Sequence, residues 1–141
     1  MLTGFAHLSP DVALAVLTVG LLLIYVELNR PGWIVPGAVG LIGTLFAIAS
    51  LTRVELNPGA IALVCTAAAL LVLDLLRRPQ WIVALAATLA LVLGFGHLVA
   101  PGAGGMRIHP ATAVACGLVL GGCTSILTRI ARRARANKGL D

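Results

Sequence analysis

The segment LLLIYVELNRPGWIVPGAVG, residues 21–40, places a charged turn between two apolar runs. Pro31 cannot continue a helix because it lacks a backbone N–H, and Gly32 permits a left-handed turn. Pro36 and Gly37 follow at the point where a second helix would begin. Because the turn is so short, the segment predicts a tight antiparallel helical hairpin.

The same turn recurs later in the chain, since RPGWIV at residues 30–35 returns as RPQWIV at residues 78–83. Aligning residues 8–51 with residues 56–99 without gaps pairs 15 identical residues among 44. A biased composition does not explain the ungapped Pro, Arg-Pro and Trp-Ile-Val matches. The chain therefore contains an internal duplication. Because each unit holds two spans, both copies have the same orientation in the membrane, and the duplication is a parallel repeat.

The composition identifies the solvent of this chain. Of its 141 residues, 60% are hydrophobic and 11% are charged, and the mean hydropathy is +1.05. Five acidic and ten basic residues cannot cover the surface of a soluble domain of this size. Lipid must be the main solvent, and the net charge of +5 does not indicate a nucleic-acid partner, because basic residues of membrane proteins collect at the cytoplasmic surface.

A hydrocarbon core of about 30 Å takes roughly 20 residues of helix to cross. The apolar runs are continuous and rich in Ala and Leu, which favours helices over strands. We predict an all-α integral membrane protein with two tandem parallel helical hairpins and one extra C-terminal helix. Its five transmembrane helices are predicted at about residues 12–28, 34–51, 60–76, 81–99 and 111–127.

The predicted domain organisation is a single polytopic membrane domain over residues 1–128, followed by a basic tail over residues 129–141. With five spans the two termini lie on opposite sides of the membrane. Eight of the ten basic residues fall on one side, and only Arg53 and Arg107 fall on the other. The positive-inside rule then places the C-terminus in the cytoplasm and the N-terminus outside, in a bacterial-type cytoplasmic membrane.

The tail concentrates positive charge directly after the last span. Control of topology explains this charge, and attraction to anionic membrane lipid, at roughly 1 kcal/mol for each residue near the surface, or to an acidic partner is the alternative. The tail residues are Arg129, Arg132, Arg133, Arg135 and Lys138.

Small residues recur at every fourth position along the fifth span and form one face. Helices in membranes associate where small residues let their backbones approach. This face predicts helix packing, either inside the molecule or with a partner or a second copy of the chain. Its members are Ala113, Gly117, Gly121 and Ser125.

The inventory of reactive residues favours a protein that is not an enzyme and has no metal or cofactor. The three histidines, His7, His97 and His109, all fall toward the outer side but lack the spacing of a metal site. All three cysteines fall inside spans, where they read as small apolar side chains. Glu27 and Asp74 stand near helix ends, where each can pair with a base on its own helix or form a polar recognition site.

The stretch LLLIYVELNRPGWIVPGAVGLIG resembles the membrane region of the NfeD family. Members of that family carry an acidic residue at a helix end, then a Pro-Gly-aromatic turn and a Val-Pro-Gly-x-x-Gly helix start. The resemblance covers roughly residues 8–99, and the second copy keeps Pro79 and Trp81 but loses the glycines. The matching positions of the first hinge are Glu27, Pro31, Gly32, Trp33, Val35, Pro36, Gly37 and Gly40.

The resemblance implies a partner role. Long NfeD-like proteins add a ClpP-like serine protease domain, and many members end in a small OB-type barrel. We expect neither in this chain, since too few residues flank the spans to fold as a domain. Family members are paired with stomatin-like (SPFH) membrane scaffolds, so the resemblance implies a non-catalytic adaptor whose hinge motif, with Arg30 included, faces the partner.

A small-solute carrier or channel is the alternative, since parallel repeats also build transporters. A transporter should carry polar residues where its substrate crosses the middle of the membrane. The span centres hold little beyond Thr18, Thr66 and Thr88, whose hydroxyls can bond to their own helices. The sequence therefore favours the adaptor.

Overall fold

Five helices make up the parts of the chain that the computed structural model describes, which are residues 9–29, 32, 34–77, 80–102, 105 and 107–139. This confirms the prediction of an all-α fold. Within those residues the only β pairing is a single antiparallel bridge between Leu56 and Val99. The helices are α1 (Pro10–Asn29), α2 (Ile34–Leu51), α3 (Pro58–Leu76), α4 (Trp81–Gly96) and α5 (Pro110–Lys138).

Local sequence signals fix where three of these helices begin. Proline occupies the first helical position of α1, α3 and α5, where its missing N–H has no intrahelical partner to lose. Asn57 caps α3, because its side-chain oxygen accepts a hydrogen bond from the N–H of Gly59 at 3.1 Å. These starts agree with the predicted spans to within two residues.

Among the described residues, four helices are long and apolar enough to cross a membrane. The fourth predicted span is shorter than expected, since α4 has 16 residues and a length of about 24 Å. The helix stops at Gly96 because the next backbone groups pair elsewhere. The carbonyl of Leu98 accepts from the N–H of Asn57 at 2.9 Å, and the N–H of Ala100 donates to Glu55 at 2.9 Å.

The fifth helix is longer than the predicted span. It has 29 residues, about 44 Å of helix, and continues through the basic segment to Lys138. The segment is rich in Ala and Arg, which are good helix formers, and the helix ends where Gly139 follows. The tail is therefore a helical continuation of the last span as far as Lys138.

The helices form two antiparallel hairpins, α1 with α2 and α3 with α4, and α5 packs against α4 and α1. α5 runs parallel to α1. At one end, Asp11 Oδ1 accepts from the N–H of His109 at 2.8 Å, and at the other, Tyr25 bonds to Thr128. The additional helix of the predicted fold therefore joins the two copies of the repeat.

Both hinges lie at one end of the bundle, together with the C-terminus of α5. We call this the hinge end, and the opposite end, with residues 52–57, 97–102 and 107–109, the loop end. Tyr25 near the end of α1 and Leu75 near the end of α3 both bond to the same stretch of α5, which fixes the common level of the hinges. The two copies therefore point the same way.

The core lies where the two hairpins meet α5. Leu14, Leu91 and Phe95 are the largest fully buried side chains, and Ala113 and Leu120 of α5 join their cluster. Many large apolar side chains point outward instead, most of them along α2 and on the outer faces of α3 to α5. An apolar exterior of this kind suits a molecule whose surroundings are lipid.

Candidate functional site at the hinge end

In the first hinge, the Glu27 carboxylate occupies the space beside Gly37. A Cβ added at residue 37 would overlap that carboxylate, so the absence of a side chain at Gly37 makes room for the acid. Glu27 thereby reaches from the end of α1 to the first turn of α2. Negative charge is favourable there because the N-terminus of a helix carries partial positive charge.

Gly32 is the residue of the first hinge, between α1 and α2, that the structure describes. Gly32 is exposed, has a positive φ of 133°, and a Cβ placed there would have nothing within 4 Å. Its neighbours Arg30, Pro31 and Trp33 lie outside the described residues. Pro36 lies in the first turn of α2 and is half-buried.

Gly40 sets the closest approach of α1 and α2. A Cβ at this position would lie 2.6 Å from the carbonyl oxygen of Gly20 and 2.9 Å from the Cβ of Leu23. The two backbones therefore approach closely at Gly20 and Gly40, near the middle of α1. The glycines of the family motif thus have distinct structural roles: a positive φ, room for a carboxylate, and helix contact.

In the second hinge, the acidic residue Asp74 makes a different contact. Asp74 is 5% exposed, and its Oδ1 accepts the N–H of Gln80, the N-cap of α4, at 3.0 Å. In the repeat alignment Asp74 corresponds to Val26, and Glu27 corresponds to Leu75. An acid placed one residue earlier and one methylene shorter bonds to the turn itself instead of reaching into the next helix.

Arg132 connects α5 to the second hairpin. Its Nη2 donates to the carbonyl of Asp74 at 3.1 Å and to the carbonyl of Leu75, which are among the carbonyls at the end of α3 that lack partners within their helix. The sequence placed Arg132 with the basic tail, and only the packing of α5 reveals this contact. The other tail residues, Arg129, Arg133, Arg135 and Lys138, are exposed.

One turn earlier, Thr128 connects α5 to the first hairpin. Thr128 Oγ1 lies 2.5 Å from the Tyr25 hydroxyl, and either hydroxyl can donate in this hydrogen bond. The carbonyl of Thr124 lies within reach of both hydroxyls, at 2.7 Å from Thr128 Oγ1 and 3.4 Å from the Tyr25 oxygen. Thr128 is 4% exposed. Sequence reasoning missed this pair, because nothing in a single sequence links two hydroxyls that are 103 residues apart.

A cavity of about 690 Å³ opens between the second hairpin and α5. It lies at the level of the second hinge and combines charged and apolar side chains. Arg77, Asp74 and Arg132 supply the charged groups, and leucines and a valine supply the apolar wall. The lining residues are Leu70, Leu73, Asp74, Leu76, Arg77, Gln80, Val83 and Arg132.

The first hinge lies within the part of the sequence that matches a known protein family. The model of the NfeD integral membrane domain matches residues 11–130, from the first turn of α1 into α5. The chain belongs to the NfeD family. Comparison with curated protein sequences and with solved structures gives no match. The resemblance seen in residues 8–99 is confirmed, and the match also includes the last span.

In this NfeD domain the face of small residues on α5 packs against α4. A Cβ at Gly117 would lie 2.6 Å from Val92 Cγ2, and one at Gly121 would overlap the hydroxyl of Thr88. Ala113 is buried at the same interface. Ser125 lies further along, in a groove between the two helices. The structure thus places this face inside the molecule.

The three threonines at the centres of the predicted spans bond to their own helices in this NfeD domain. Thr18, Thr66 and Thr88 donate to the carbonyls four residues earlier, at 2.9, 2.8 and 2.7 Å. Of these three residues only Thr18 is buried, and Thr66 is exposed on the outer surface. Their hydroxyl protons are therefore not available to line a polar path through the bundle.

Neither the histidines nor the cysteines of this NfeD domain assemble a reactive centre among the described residues. His97 Nδ1 contacts the carbonyl of Leu93 at 3.0 Å, and the N–H of His109 donates to Asp11. No three His, Cys, Asp or Glu side chains in the described ranges come together as metal ligands, and His7 lies outside those ranges. All three cysteines are free thiols: Cys65 is exposed, Cys123 is half-buried and Cys116 is buried.

Proposed function

We propose that this NfeD-family membrane protein is a non-catalytic adaptor that presents its hinge end to a stomatin-like (SPFH) scaffold. In this proposal it spans a bacterial-type cytoplasmic membrane with the N-terminus outside and the C-terminus in the cytoplasm. The partner class comes from the family resemblance. The positive-inside rule supports the orientation, because the exposed basic residues of α5 and both hinges share one end of the bundle.

The observation that carries the proposal is the form of the first hinge. Its tip, Gly32, is exposed with a positive φ and open space around it. Ile34 and Val35, at the start of α2, are 77% and 74% exposed. The Glu27 carboxylate lies beside Gly37 at the base of the hinge. An exposed glycine followed by two exposed apolar side chains offers an accessible surface to a partner at this end of the bundle.

The acids at the hinge end favour binding over catalysis. Glu27 is placed against α2, and Asp74 accepts a backbone N–H in the second hinge. Both carboxylates thus support local structure. The threonines of the spans, which bond to their own helices, argue in the same way against the carrier alternative.

A matched pair of glycine variants tests the adaptor. Gly32→Val combined with Glu27→Gln should weaken capture of a co-expressed stomatin-like protein, because valine strains a backbone at positive φ by about 1 kcal/mol or more. Gly102→Val is the control. Gly102 also has a positive φ, 122°, and open space, but it lies at the loop end. Capture in mild detergent is the measurement, and the control should retain it.

A second comparison separates the two hinges. Gln80→Val with Asp74→Asn alters the second hinge and should weaken capture less than the pair in the first hinge. Equal capture by the first-hinge pair and by Gly102→Val contradicts the adaptor. So does recovery of no partner together with solute movement by the purified protein in liposomes, which would establish the carrier.

A further inference from the structure

The cavity at the second hinge has a polar half and an apolar half. Arg77 and Arg132 supply two positive charges and Asp74 one negative charge, so the described lining residues carry a positive charge on balance. Asp74 is not a free counterion, because its Oδ1 accepts the N–H of Gln80. Two N–H groups of Arg132 serve α3, and a guanidinium carries five.

The N-terminus of α4 adds to this positive potential. The N-cap residue Gln80 and Val83 in the first turn of α4 line the cavity. Gln80 makes no side-chain capping hydrogen bond. The first N–H groups of a helix lack intrahelical partners and attract negative charge. Arg77, Arg132 and the start of α4 therefore line one cavity.

The apolar half lies deeper in the membrane. Leu70 and Leu73 precede Asp74 on α3, so they stand toward the middle of the span, and Val83 faces them from α4. Leu73 is 44% exposed, which opens this side to the surrounding lipid. The cavity therefore runs from charge at the hinge end to hydrocarbon at its inner edge.

Beyond the adaptor role, we propose that this cavity is a binding site for one anionic phospholipid. The phosphate lies between Arg77 and Arg132, and an acyl chain lies along Leu70 and Leu73. Basic cavities between helices on the cytoplasmic side of a membrane suit anionic headgroups, and a guanidinium matches the geometry of a phosphate. The cavity, about 690 Å³, falls in the usual size range of a ligand site.

Charge-matched variants test this site. The full-length protein in detergent is titrated with phosphatidylglycerol or with phosphatidylcholine, and bound lipid is counted by native mass spectrometry. The unaltered protein should retain phosphatidylglycerol preferentially. Arg77→Gln should weaken that retention about fivefold, the value of one charge contact at the surface. Arg133→Gln removes the same charge from exposed α5 outside the cavity, and it should change retention less than twofold.

A second variant tests the space without changing the charge. Val83→Trp fills the cavity from α4 and should abolish the preference for phosphatidylglycerol, provided that circular dichroism and elution volume match those of the unaltered protein. Soluble glycerol phosphate, which lacks acyl chains, should fail to compete. Equal losses in Arg77→Gln and Arg133→Gln, an unchanged preference in Val83→Trp, or full competition by glycerol phosphate would each overturn the proposal.

Discussion

At the scale of single residues, two positions of the family motif act as one unit. The Glu27 carboxylate fills the space that the missing side chain of Gly37 leaves. The glycine at position 37 provides the space for the Glu27 carboxylate, and that carboxylate fills it. A glycine inside a helix costs up to about 1 kcal/mol relative to alanine, and the contact of the acid with the N-terminus of α2 offsets that cost.

This unit predicts a change of sign between two backgrounds. In the unaltered protein, Gly37→Ala should displace the Glu27 carboxylate and lower the free energy of unfolding by about 1 kcal/mol. In the Glu27→Ala background, the same change should raise it, by up to about 1 kcal/mol, because alanine is the better helix former. Unfolding by SDS in mixed micelles measures both. Additive effects of the two substitutions would contradict the unit.

The sequence predicted part of this hinge. It predicted the end of α1 and the start of α2 to within one residue, because proline restricts the backbone locally; Pro31 itself lies outside the described residues. The contact partner of Glu27 was not predictable, since it depends on how closely α1 and α2 approach. Arg132 shows the same limit, because its carbonyl partners are 57 and 58 residues away in the chain.

At the scale of helices, close contacts between backbones determine which faces meet. α5 lies against α4 through Gly117 and Gly121. Gly122, next to them in sequence, points elsewhere, and a Cβ there would have nothing within 4 Å. A Cβ at Gly117 would clash with α4, whereas one at Gly122 would meet no other atom within 4 Å. Gly117 and Gly122 therefore form a matched pair for substitution.

Alanine substitutions should separate these two glycines. Gly117→Ala places a Cβ 3.0 Å from the Cα of Val92 and should destabilise the protein by about 1–3 kcal/mol, since the backbones must move apart. Gly122→Ala should leave the stability equal or raise it by up to about 1 kcal/mol. Thermal unfolding in detergent compares the two. A larger loss in Gly122→Ala would show that α5 packs in another rotation.

Helix boundaries were predictable where a local signal marks them. Pro58 and Pro110 begin α3 and α5 as expected. The end of α4 was not predictable, because Leu98 leaves the helix to pair its carbonyl with Asn57. The small face of α5 was recognisable from its spacing, but its partner was not, since the same spacing suits a neighbour inside or outside the chain.

At the scale of the whole molecule, α5 joins the two hairpins. Near the hinge end, Thr128 shares a hydrogen bond with Tyr25 of α1, and Arg132 donates to the carbonyls that end α3. These contacts lie one helical turn apart. A stretch of α5 shorter than two turns therefore holds both copies of the repeat.

Removing one hydroxyl tests this connection. Tyr25→Phe and Thr128→Val should each destabilise the protein by about 0.6–1.7 kcal/mol, the range of hydrogen bonds between membrane helices. The double variant should cost less than the sum, since either change alone breaks the bond. SDS unfolding of the four proteins gives the coupling. Strict additivity would mean that the two hydroxyls act independently.

Cysteine labelling tests the orientation of the whole molecule. After replacement of Cys65, Cys116 and Cys123, a membrane-impermeant maleimide applied to intact cells should label Thr3→Cys. It should label Lys138→Cys only after the membrane is opened, because the basic residues favour the cytoplasmic side. Labelling of both positions from the same side would contradict five membrane crossings.

The late position of α5 in the chain has a consequence for biogenesis. Arg132 follows Leu75 by 57 residues, so at about 5–20 residues per second the ribosome needs roughly 3–11 s to supply it after the third helix is made. Both hairpins are synthesised before the helix that joins them. During that interval the nascent protein consists of two hairpins without α5, the helix that connects them. An insertase or chaperone would therefore meet the two hairpins before they are joined.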